Sequence, residues 1–211
     1  MLCYFGNFTE ADATLAVAGL NAMWNISMAK AGAHQLVASG ACDVLIKCFY
    51  QYPDPEVDVR NSVLVVMGNL CKYSDEAQKQ FTDLGACGAV MIILSSLRDD
   101  DGDSKFSYLV LWAMRGLVEN NAKAVDQFAE AEACTLVLQQ LRQHKESVRI
   151  AGIALSILCH LSENETVISQ LKSGDADTII KSALVEYDSE CEVHTEGVSL
   201  LSRLGNEQVS C

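Results

Sequence analysis

The stretch "LVVMGNLC", residues 64–71, recurs in altered form along the chain: "LNAMWNIS" at 20–27, "LWAMRGLV" at 111–118, "LSILCHLS" at 155–162 and "VSLLSRLG" at 198–205. Superposing the five segments puts Ile26, Leu70, Leu117, Leu161 and Leu204 in one column, at intervals of 44, 47, 44 and 43 residues. A period of about 44 is the mark of a repeat array, in which a single unit cannot bury its apolar face and stacking supplies the core.

The column belongs to a stripe. The triplets Gly19-Met23-Ile26, Val63-Met67-Leu70, Val110-Met114-Leu117, Ala154-Leu158-Leu161 and Gly197-Leu201-Leu204 stand at i, i+4, i+7. That spacing lines one face of an α-helix, with the smaller side chain where a neighbour comes closest. A second column of Gln35-Leu36, Gln80-Phe81, Gln127-Phe128 and Gln170-Leu171 marks one brief helix per unit. A third opens with Gly40-Ala41, Gly85-Ala86, Glu132-Ala133 and Asp175-Ala176 and runs into a medium helix. In three of these helices a cysteine joins the apolar stripe: Cys42-Leu45-Phe49, Cys87-Val90-Leu94 and Cys134-Val137-Leu141. Gly40 and Gly85 permit a sharp corner between the short and medium helices.

One array is therefore expected over residues 1–211. Its units fall at 9–29 (a third helix alone), 30–73, 75–120, 121–162 and 163–205, with 206–211 a tail or the start of a further repeat. The connecting loops are polar and unequal in length, as surface connections are.

Composition agrees with helix. Half of the residues are apolar, prolines number 2 and aromatics make up 7%, too little turn punctuation for a sandwich or barrel. The formal charge of −13 repels phosphate backbones and anionic headgroups, which argues against nucleic acid as a direct partner. The opening "MLCYFGNFTEADATLAV" lacks a secretory pattern, and apolar runs fall short of a membrane span. These features predict a soluble cytoplasmic protein without direct membrane insertion, the cytoskeleton or cilium being further settings. Nine cysteines without a C-x-x-C pair fit reduced, buried thiols in an intracellular chain better than a disulfide framework or a zinc site. Equivalent positions in stacked helices lie roughly 8–10 Å apart, too far for Cys42, Cys87 and Cys134 to share one metal.

The stretch "EAQKQFTDLGACGAVMIILSSL", continuing to "YLVLWAMRGL", resembles the armadillo repeat. Its unit has a short helix, a second opening with Gly-Ala, and a third with an A-x-x-x-L-x-N-L core. The resemblance covers nearly the whole chain and implies an all-α, right-handed α-solenoid of three-helix repeats, with the related HEAT type as the alternative. It also implies that the third helices line a groove for an extended peptide, held by the motif asparagine and the residue four before it. Here those pairs are Asn21/Asn25, Val65/Asn69, Trp112/Gly116, Ser156/His160 and Ser199/Arg203. Asn25 and Asn69 match the asparagine and Trp112 the tryptophan of importin-alpha-like members, but no unit keeps both.

Chemistry-bearing motifs are otherwise sparse. His34, His144, His160 and His194 fall in different units, and the neighbours Cys159 and His160 point about 100° apart on one helix. Setting Gly102 of "RDDDGDS" at the sixth place of a calcium loop puts Leu97 and Tyr108 where oxygen ligands belong. The expectation is a non-enzymatic module with no catalytic, metal or cofactor residues. Its partner would be another protein, through a basic or extended segment. The alternative is an architectural subunit or fragment of a larger cytoskeletal, ciliary or scaffold complex.

Overall fold

A computed structural model describes residues 10–52, 58–97 and 104–205, all of whose regular elements are helical. Residues 1–9, 53–57, 98–103 of the acidic loop and the tail 206–211 lie outside the described residues. The first helix is α1 (Glu10–Ser27). Triplets of short, medium and long helices follow. They are α2 (Lys30–Ala38), α3 (Ala41–Gln51) and α4 (Val59–Tyr73); α5 (Asp75–Asp83), α6 (Ala86–Ser96) and α7 (Ser104–Val118); α8 (Ala122–Glu130), α9 (Ala133–Gln143) and α10 (Val148–Leu161); α11 (Glu165–Ser173), α12 (Ala176–Glu186) and α13 (Cys191–Arg203). Every short helix has 9 residues and every medium helix 11, so the repeat is regular in length as well as in pattern.

Local chemistry sets the helix starts. Ser74 accepts the Ala77 amide ahead of α5, Asn121 that of Ala124 ahead of α8, Ser147 that of Ile150 ahead of α10 and Asn164 that of Thr166 ahead of α11. Each such cap is worth about 1 kcal/mol, and three of the four fix where a nine-residue helix, too short to persist alone, begins. Gly40 and Gly85 take left-handed backbone at φ 81° and 83°, as the corner requires. Glu132 holds the same corner at φ 54°, a conformation that costs a side-chain-bearing residue about 1–2 kcal/mol. Asp175 avoids it at φ −94°, with Gly174 before it in extended backbone.

The stripes of α4, α7, α10 and α13 form the core: Val63, Met67, Leu70, Val110, Met114, Leu117, Ala154, Leu158 and Leu161 are fully buried, and Leu201 and Leu204 nearly so. In α1 the expectation fails. Ile26 is 46% exposed, and the buried positions are Ala13, Leu20 and Ser27. The reason is packing: each later long helix rests on the medium helix of its own triplet, whereas α1 packs chiefly on α2 and α4 and has no medium helix of its own among the described residues. Cys42, Cys87 and Cys134 occupy one equivalent place in the first turn of α3, α6 and α9, all buried.

Polar bonds one repeat apart stitch the triplets together. Asn69 donates to Ser27 Oγ at 3.0 Å, Asn121 to Thr82 Oγ1 at 2.9 Å, and Asn164 to Asp126 at 2.9 Å. His144 bonds the Ser107 hydroxyl of the preceding triplet at 3.0 Å, and within one triplet His34 ties α2 to the Tyr73 carbonyl of α4 at 2.6 Å. Among the described residues no helix is long and apolar enough to cross a membrane.

Candidate functional site

The long helices pack side by side in the order α1, α4, α7, α10, α13 and make one continuous layer. Residues at equivalent repeat positions therefore form rows across it. A cleft of about 490 Å³ runs over α1, α4 and α7 to the start of α10. Of the ten residues named from the motif, it gathers Asn21, Val65, Asn69 and Trp112. Beside them stand Trp24, Asn61, Lys105, Tyr108 and Arg149, which the motif does not single out.

Their signal is nonetheless regular. Tyr108 and Lys105 precede Trp112 by four and seven residues, one and two turns along the same helix face. Arg149 lies one repeat, 44 residues, after Lys105.

The row carrying the motif asparagine has a different role from the one the resemblance implies. Asn69 is only 9% exposed, and its amide is spent on Ser27 Oγ, with the Met28 sulfur 3.8 Å away. Gly116 is buried, and a Cβ there would stand 2.8 Å from Cys71 Cβ and 3.3 Å from the Gly68 carbonyl. Arg203 donates to the Cys159 carbonyl at 2.8 Å and to Ser162 Oγ at 3.1 Å, placing a cation on the last carbonyls of α10. His160 is half-buried, 4.0 Å from Glu163. This row is largely the seam between neighbouring long helices. Of the remaining positions, Asn25 is exposed and does not line the cleft, while Ser156 is 1% exposed with a hydroxyl that has no partner among the described residues.

Trp112 is seated by what is missing opposite it. A Cβ on Gly68 would lie 2.2 Å from Trp112 Cδ1 and 2.3 Å from Nε1, so the indole lies on bare α4 backbone. Its other neighbours are Tyr108, stacked with ring centroids 6.4 Å apart, and the Lys72 ammonium, 5.7 Å from the ring centre. Arg149 in turn lies 4.0 Å over the Tyr108 ring. Two aromatic rings thus stand between two cations, an arrangement worth about 0.5–1 kcal/mol per cation at an exposed site. Arg115, which lines a second pocket against Trp112 with Gly68 and Lys72, is held by Glu192 at 3.4 Å.

The cysteines belong to packing. Burial pushes the Cys42, Cys87 and Cys159 thiols up to about 12, leaving almost no thiolate at neutral pH. In native protein at pH 8 these three should resist maleimide labelling and become reactive on denaturation. Peptide mapping that finds them labelled within minutes in the folded state would contradict their burial.

No protein-family model matches the chain, and no curated protein matches it either. Among solved structures it is similar to a designed armadillo repeat protein in complex with the peptide (KR)4, at 19% identity and a TM-score of 0.70, covering 88% of this chain and 74% of that one. A second designed armadillo repeat protein superposes with a TM-score of 0.75 at 16% identity, covering 95% and 79%. An engineered protein does so at 0.74 and 22%, covering 96% and 78%. The class that helix order and likeness define is the all-α solenoid of armadillo type.

Proposed function

We propose that this chain is a non-enzymatic protein-interaction scaffold that holds an extended segment of another protein along its layer of long helices. The supporting observation is the cleft itself, which crosses three successive long helices and is floored by Trp112, with Trp24 beside it. A half-buried indole seated on glycine backbone offers a rigid anchor at low entropic cost. The designed armadillo protein that carries (KR)4 shares this fold, which makes peptide capture a natural use of the surface.

Crosslinking mass spectrometry from the native source would supply the partner segment. Trp112→Ala should then weaken its binding about thirtyfold, the loss typical of a buried aromatic anchor, with unchanged circular dichroism. Unaltered affinity in that variant would remove the groove assignment.

The alternative, an architectural subunit of a larger assembly, draws on the exposed apolar residues Leu15, Ile26 and Met28 of the α1 end. A monodisperse monomer by light scattering counts against obligate assembly.

A further inference from the structure

From the charges around Trp112 we infer that the segment held in the cleft is acidic, carrying at least two Asp or Glu side chains. This inference rests on the groove reading above and names its partner class.

The chain's overall charge of −13 would favour a basic partner, but charges beyond a Debye length of about 8–10 Å are largely screened. What a bound segment meets is local. Each long helix after α1 begins with one charged residue at the same repeat position: Asp58, Lys105, Arg149 and Glu192 in turn. The two middle members are cationic, and both line the cleft that holds Trp112. Lys72, two residues after the buried Leu70, adds a third cation over the indole. Of the outer acids, Asp58 lines the cleft at the α4 start and is the one carboxylate there, while Glu192 is taken up by Arg115.

Lys72 and Arg149 are anchored by rings, although Glu190 and Glu192 line the neighbouring pocket beside Arg149. Each rests on an aromatic face, and neither forms an ion pair among the described residues. A ring holds a guanidinium by its flat face and leaves its N–H edge open, which is the edge that grips a carboxylate in a two-bond fork. A (KR)4-type peptide would instead bring like charges against Lys105 and Arg149, which outnumber the single carboxylate, Asp58, lining the cleft.

Both tryptophans of the chain line the cleft, so intrinsic fluorescence reports its occupancy directly. The full chain would be titrated at low salt with the peptides (DE)4, (KR)4 and (GS)4 and with a short single-stranded oligonucleotide. Saturable binding of (DE)4, tighter than that of the other three, is expected. It should fall on the order of tenfold or more in the Lys105→Glu, Arg149→Glu double variant, whose two sites are exposed and spare the core. Tighter binding of (KR)4 that is still lost in Trp112→Ala would overturn the acidic assignment and leave the groove in use. Preference for the oligonucleotide would overturn it in favour of another macromolecule. Saturable binding of none of the four would overturn both readings, as would (DE)4 binding indifferent to Trp112→Ala.

Discussion

Phe81→Ala is expected to lower the unfolding free energy by about 3–5 kcal/mol, the usual cost of emptying a phenylalanine site in a closed core. Phe81 is fully buried and lies on α5, a nine-residue helix that cannot persist in water on its own. Packing against α3, α4, α6 and α7 is what holds α5 in place, so a cavity under Phe81 weakens the joint between two successive triplets. In a solenoid, stability is close to a sum of unit terms and nearest-neighbour terms, and a weakened joint in the interior divides the array. Urea unfolding of the variant should therefore show a lower midpoint and a broadened or two-step transition. Leu36→Ala, at the equivalent but only partly buried place in α2, should cost clearly less. Equal losses at the two sites, or a loss below about 1 kcal/mol for Phe81→Ala, would show that α5 is not the joint it is taken to be.

The architecture was legible because the information for it is periodic. The Met67-Leu70 and Met114-Leu117 stripes recur at a near-constant interval, and a helix face that must be buried leaves the same trace each time it is repeated. Ile26 shows the limit of that logic. It fits the column, yet the column encodes burial against the medium helix of the same unit, and α1 has no such helix among the described residues. The Ala-Cys column was legible as packing for the same reason that Ile26 misled: sequence period reports equivalence of position, and burial depends on what lies opposite.

The site was less legible. A motif with Trp and Asn columns directs attention to Trp112 and Asn69, and the cleft does gather them. Asn69 is nevertheless engaged by Ser27, and the cations around Trp112 come from three different helices, α4, α7 and α10. Their convergence is a property of stacking, invisible along the chain until the rows are drawn across it. In the unit that keeps Trp112, Gly116 stands where the motif has asparagine. In the structure it is a contact point between helices.

That contact yields the second large expected effect. Gly116→Val should destabilise the array by about 3 kcal/mol, at the upper end of the usual overpacking cost. A single Cβ at 116 would already stand 2.8 Å from Cys71 Cβ and 3.3 Å from the Gly68 carbonyl, atoms fixed to the α4 backbone that cannot swing aside. A branched side chain must therefore drive α4 and α7 apart. Because Trp112 is seated on Gly68 between the same two helices, the separation should also unseat the indole and shift its emission to the red. Gly88→Ala is the matched control: it lies within α6, and a Cβ there meets nothing within 4 Å. Removing a glycine from a helix interior without a clash should stabilise by up to about 1 kcal/mol and leave the emission unchanged. Opposite signs for the two substitutions would establish that Gly116 is kept small by the approach of two helices. If Gly116→Val were neutral, the close contact under the cleft would be absent in solution, and the seat of Trp112 would have to be sought elsewhere.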